Sequence, residues 1–79
     1  MKVRVLFFGA TAAVVGSREV QTAIDETESP GDVLERLAAA HPELRSHRCL
    51  FAVNEEYVAE NSRLNDGDEL AIFTAVSGG

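Results

Sequence analysis

The residues of this chain that could do covalent chemistry are few, and the most suggestive pair has no side chains. Gly78-Gly79 are the last two residues of the 79-residue sequence. Without a Cβ, such a tail can enter a narrow channel and present its carboxylate to another protein's active site. A free carboxylate is a poor electrophile, but formation of an acyl-adenylate with ATP would activate the carboxyl of Gly79. Attack by a sulfur donor would then leave a thiocarboxylate, a soft nucleophile that needs no side-chain help. Each of these steps belongs in another enzyme's active site, and the tail only has to reach it. A glycine pair at a terminus is also what a frayed end looks like. The rest of the chain has to decide between the two.

Nothing else in the sequence assembles into a catalytic set. The single cysteine, Cys49, sits within a strand pattern and reads as a small core apolar residue. His41 lies at a helix end before Pro42, where a cation suits the helix dipole. His47 falls between Arg45 and Arg48 in a polar loop and reads as surface. The two histidines lack the i, i+4 spacing of a helical metal pair and have no cysteine pair nearby, so no metal motif is expected. Neither a Walker sequence nor a dinucleotide fingerprint is present. Glu55, Glu56, Glu60, Asp66, Asp68 and Glu69 read as a solvated face, or as one that meets a basic partner. No catalytic residue, metal or bound cofactor is therefore assigned to this chain.

The totals set the limits of the fold. Residues 1–79 make a single domain, and a chain of this length buries only about 60% of its unfolded surface. With one cysteine there is no internal disulfide, so the fold must rest on its apolar core. The net charge of −6 argues against nucleic acid, whose phosphates reward basic surfaces. No apolar stretch is long enough to span a bilayer, and Met1-Lys2-Val3-Arg4 runs into an alternating pattern unlike a signal peptide. A soluble, cytoplasmic protein with no membrane contact is expected.

Several elements must position the tail. Residues 2–8 alternate as a strand, with Val3, Val5 and Phe7 on one face and Arg4, Leu6 and Phe8 on the other. Gly9 and Gly16 bracket a short helical turn. Residues 19–25 alternate again, with Val20, Thr22 and Ile24 inward. Ser29-Pro30-Gly31-Asp32 signals a helix start with Ser29 as the N-cap. Val33, Leu34, Leu37 and Ala38 then form an apolar stripe, and Pro42 ends the helix near residues 40–41. Residues 49–53 read as a third strand, Glu55-Glu56 as a turn, and 57–59 as a short return strand. Residues 60–68 read as a polar connection. Residues 69–76 form the last strand, with Leu70, Ile72 and Val76 on one face and Ala71, Phe73 and Ala75 on the other.

This order predicts an α+β fold with one main helix packed across a mixed sheet. The first and last strands are the most apolar and are expected side by side at the sheet centre. The tail would then leave directly from a central strand. Leu6, Phe8 and Phe73, opposite the core sets, are expected to form an apolar, partner-facing patch on the sheet face away from the helix.

Taken together, these residues resemble the MoaD/ThiS group of ubiquitin-like sulfur carriers, and within it the small subunits of molybdopterin synthase (MoaD). The resemblance spans essentially the whole chain. It rests on Val3-Arg4-Val5-Leu6-Phe7-Phe8, Val15-Gly16 and Ala52-Val53-Asn54, and most strongly on residues 64–73, LNDGDELAIF, followed by Val76-Ser77-Gly78-Gly79. It implies a β-grasp fold. It also implies that a MoeB-like activating enzyme, using ATP and Mg, adenylates Gly79, and that a sulfurtransferase system converts it to a thiocarboxylate. The carrier would then insert Val76, Ser77 and Gly78 into the active site of a MoaE-like large subunit. There Gly79 would donate sulfur to cyclic pyranopterin monophosphate, with the catalytic residues supplied by the large subunit.

Many relatives carry two prolines after the Phe of the last strand, where this chain has Thr74 and Ala75. Prolines would stiffen the tail. Carriers for other pathways, such as thiamine synthesis, are usually shorter and lack a helix after the first strand, so the stretch from Gly9 to Gly16 favours the molybdopterin branch. A ubiquitin-like modifier conjugated to lysines through Gly79 would need the same tail. A plain interaction domain with an incidental glycine pair is the remaining alternative.

Overall fold

A computed structural model describes residues 1–75. The expected tail residues Val76, Ser77, Gly78 and Gly79 lie outside the described residues. The elements are β1 (Lys2–Phe7), α1 (Ala10–Val15), β2 (Glu19–Ala23), α2 (Pro30–Ala40), a 3-10 helix (Pro42–Ser46), β3 (Cys49–Val53), β4 (Glu56–Val58) and β5 (Glu69–Thr74). The five strands form one sheet in the order β2-β1-β5-β3-β4. The β1–β5 pairing is parallel and the other three are antiparallel. The most apolar strands, β1 and β5, are therefore neighbours, with β5 at the centre, as their composition requires.

Local chemistry accounts for the main helix. The Ser29 side chain accepts from the Asp32 N–H at 3.3 Å, and the Asp32 carboxylate accepts from the Ser29 N–H at 3.0 Å. This reciprocal capping box satisfies two donors that the first helical turn would otherwise leave without partners. Pro30 occupies the first turn, where its missing N–H costs nothing. The helix stops at Ala40, and Pro42 opens the 3-10 turn, which brings Leu44 into the interior.

The core lies between α2 and one face of the sheet. Val3, Val5, Phe7, Leu70, Ile72, Phe51, Ile24, Val33 and Leu64 are all buried in it. Two of the helix residues expected in the apolar stripe, Leu34 and Leu37, are only half-buried, so Leu37 has less to lose on truncation than a fully buried leucine. Leu64 is a core residue within the stretch read from sequence as a polar connection.

Four boundaries differ from the sequence reading, the first being the end of β1 at Phe7 rather than Phe8. The turn between β3 and β4 is Asn54-Glu55, with φ of 50° and 71°, rather than Glu55-Glu56. Two left-handed residues give a turn whose twist matches the flanking strands. The strand after it accordingly begins at Glu56. The second strand ends at Ala23 because Asp25 folds onto the N–H of Thr27 at 2.8 Å, although Ile24 stays buried. The last strand is described to Thr74.

Candidate docking face and the root of the tail

Strand alternation sorts the side chains of β1 and β5 onto two faces. Phe7 and Ile72 point at α2 and are buried, whereas Leu6 and Phe73 alternate to the opposite face and remain half-buried. The register builds one row across four strands: Leu6 opposite Ala71, Ala71 opposite Ala52, and Ala52 opposite Tyr57. The next position along β5 pairs Phe73 with Leu50. Tyr57 is 82% exposed and Phe8 53% exposed. The Tyr57 ring lies 5.7 Å from that of Phe73, measured between centroids. Leu6, Phe8 and Phe73 are thus accompanied by Tyr57 and Leu50, which the sequence reading did not include. A lone tyrosine among glutamates was the available signal, but its neighbours depend on strand register.

The same face turns polar toward the start of β5. Arg4 is the ladder partner of Glu69, and the two side chains form an ion pair. The apolar part therefore lies at the end of β5 from which the chain continues to Gly78-Gly79.

Thr11, in the first turn of α1, is fully buried beside that end of the sheet. Its hydroxyl lies 2.8 Å from the Ile72 carbonyl oxygen and 2.9 Å from that of Phe8, and it accepts from the Phe8 N–H at 3.1 Å. Nothing in the sequence singled out this residue.

The remaining candidates take structural roles. Cys49 is half-buried against the core, and burial pushes its thiol above the ordinary value. That disfavours the thiolate a nucleophile needs. His41 is the residue at which α2 ends and the 3-10 turn begins. His47 is half-buried beside Leu34, Ala38 and Leu44 rather than lying fully on the surface. The acidic residues do not form a single solvated face. Asp68 is buried and accepts from the Asn65 N–H at 2.8 Å and from Asn54 Nδ2 at 3.0 Å. Asp66 accepts from the Lys2 N–H at 2.8 Å, and Glu69 is held by Arg4. Among the described residues no cluster of His, Cys, Asp or Glu could hold a metal ion, and no helix is long and apolar enough to cross a membrane.

A mixed sheet in the order β2-β1-β5-β3-β4, with one main helix across it, defines a ubiquitin-like β-grasp protein. The chain belongs to the ThiS family, whose model matches residues 5–79. It is similar to the molybdopterin synthase sulfur carrier subunit of Chlamydomonas reinhardtii, at 39% identity over 83 residues that cover all of both chains. Among solved structures it is similar to SAMP1 from Haloferax volcanii, with a TM-score of 0.82, 34% identity and full coverage of both chains. The fold is also that of a chain in the complex of subunits 1 and 2 of molybdopterin-converting factor from Helicobacter pylori 26695. That match has a TM-score of 0.68 and 23% identity, and it covers all of both chains.

Proposed function

We propose that this chain is the sulfur carrier of molybdopterin synthase, charged as a thiocarboxylate at Gly79. The observation that carries the reading is the position of β5. The central strand ends at Thr74, five residues before the Gly79 carboxylate, beside the apolar face of Leu6, Phe8, Phe73 and Tyr57. A tail rooted in the best-held strand of the sheet can be offered to a partner without unfolding the domain. The full-length likeness to a sulfur carrier subunit supports the same reading, as does the reach of the family match to Gly79.

In this proposal a MoeB-like enzyme uses ATP and Mg to adenylate the Gly79 carboxylate in the cytoplasm. A sulfurtransferase then replaces the adenylate with sulfur. The apolar face docks on a MoaE-like large subunit, whose own residues catalyse transfer to cyclic pyranopterin monophosphate. Val76, Ser77 and Gly78 thread its channel, and glycine suits the narrowest point because it has no side chain. The carrier contributes position and the reactive carboxyl group.

A second reading is favoured by the 34% identity to SAMP1, a relative named among small archaeal modifier proteins. In it, Gly79 is joined to lysines of target proteins. Intact mass spectrometry of the chain from its native cell distinguishes the two. A terminal mass gain of sulfur replacing oxygen supports the carrier, and branched peptides on target lysines support the modifier. Removal of Gly79 should abolish sulfur transfer and leave the fold intact. Molybdopterin made by the shortened chain would overturn the carrier reading.

A further inference from the structure

We infer that Thr11 is a positioning residue for the tail, its buried hydroxyl acting as the clamp that holds the exit end of β5. The role of the clamp in sulfur transfer rests on the carrier reading, but its existence does not.

The need for a clamp follows from the sheet. The parallel β1–β5 ladder ends at the pair Phe7 and Ile72. Beyond it the chain turns away at Gly9, whose φ of 59° and ψ of −125° suit glycine. Residues Phe73 and Thr74 of β5 then have a strand on one side only, β3, through the pairs with Leu50 and Cys49. The vacated side is where α1 places Thr11. Its hydroxyl reaches the Ile72 carbonyl oxygen at 2.8 Å, across 61 positions of sequence. The Phe8 N–H also points to that oxygen, but at a longer 3.4 Å. A hydroxyl has one proton and can accept as well as donate. The Phe8 N–H, 3.1 Å from Thr11 Oγ1, fills the accepting role and leaves the proton to be shared between the Ile72 carbonyl at 2.8 Å and the Phe8 carbonyl at 2.9 Å, so the hydroxyl ties both strand ends together.

Burial makes this arrangement specific. Thr11 and Asp68 are the polar residues buried among the described ones, and no buried side-chain polar atom there lacks a partner. Valine would have nearly the shape of threonine without its hydroxyl. The hydroxyl bonds the last β5 carbonyl within reach of β1. Fixing Ile72 sets the course of Phe73 and Thr74 along β3 and the direction in which Ala75 leaves the sheet, and hence where the tail starts.

Thr11→Val keeps the shape and removes the hydroxyl, and Thr11→Ser keeps the hydroxyl and removes a methyl. Amide hydrogen exchange by NMR on the full chain reads the clamp directly. Thr11→Val should speed exchange at Phe8, Phe73 and Thr74 by roughly tenfold, as expected for one lost buried hydrogen bond, while the β3–β4 hairpin exchanges as in the parent. Thr11→Ser should restore protection. Unchanged exchange at those three amides in Thr11→Val would overturn the clamp. So would equal acceleration throughout the sheet, or loosening in Thr11→Ser as large as in Thr11→Val.

Sulfur transfer from pre-formed thiocarboxylate to the large subunit forms the second arm. There Thr11→Val should raise KM for the carrier several-fold with little change in kcat, and Thr11→Ser should restore it. An unchanged KM despite loosened amides would overturn the role in presenting the tail. A parent chain that transfers no sulfur would count against the carrier reading, while the exchange arm still decides the clamp.

Discussion

The ring of Tyr57 leans on that of Phe73, at an angle of 58° with centroids 5.7 Å apart, although their strands are not neighbours. β3 lies between β4 and β5, and its residue opposite Tyr57 is Ala52. An alanine there leaves room for the tyrosine to cross β3. The ring remains 82% exposed, so it contributes little to the core and stays available to a partner.

Tyr57→Ala should therefore leave the urea midpoint almost unchanged and weaken binding of the large subunit by about tenfold or more, as for an aromatic anchor near an interface centre. Titration calorimetry checks this. Parent-like affinity would remove the outer sheet face from the proposed interface.

Leu64 and Leu37 separate burial from sequence appearance. Leu64 is 2% exposed in a stretch that looks polar, whereas Leu37 is half-buried on an obvious helical stripe. Leu64→Ala should cost about 2–5 kcal/mol, within the range for buried leucine, and Leu37→Ala should cost less than Leu64→Ala. Urea denaturation of the two variants gives the order, and the reverse order would contradict the placement of residues 60–68 against the core.

The acid limb of stability has a local contributor in Asp25. The side-chain hydroxyl of Thr27, then its backbone N–H, hold the Asp25 carboxyl below its ordinary 3.8. A carboxyl depressed in the folded state stabilises it above the unfolded value, and that contribution is lost as pH falls from about 3.8 through the folded value. Thr27→Val should move the Asp25 titration midpoint, followed by NMR, back up toward 3.8. An unmoved midpoint would show that the hydroxyl is not the cause.

Cys49 has the opposite sign. Burial raises its thiol above the ordinary 9.0, so the unfolded chain ionises first and stability falls as pH rises past that value. Iodoacetamide should react more slowly with the folded chain at pH 8 than with the same chain in urea. Cys49→Ala should retain sulfur transfer. Loss of transfer in a folded variant would give the thiol a role that its half-buried place on β3 does not suggest.

Much of the fold was legible because its determinants are local. Alternation in 2–8 and 69–76 separated the inner from the outer residues over the described part of those strands, and the Ser29-Pro30-Asp32 cap located α2. Gly16, at φ of 78°, ended α1 as its conformational freedom allows. The misplaced turn at Asn54-Glu55 has a physical cause outside the turn itself. Asn54 is held by the Asp68 carboxylate and by the Glu69 N–H, 14 and 15 positions further along the chain. The acidic run looked like one solvated face for the same reason, since Asp66 and Glu69 find their partners, and Asp68 its Asn54 partner, through tertiary pairing.

By itself, the sequence determined the order of the strands and the two α-helices, the two faces of the central strands, the helix cap and the resemblance that points to Gly79. Those follow from periodicity, capping chemistry and motif spacing, which act over a few residues. Only the tertiary structure decided that Tyr57 joins Phe73, that Leu64 enters the core, and that Thr11 meets Ile72. Each of these contacts depends on strand register or on α1 closing over the sheet, and no local pattern encodes which distant backbone group will be left without a partner.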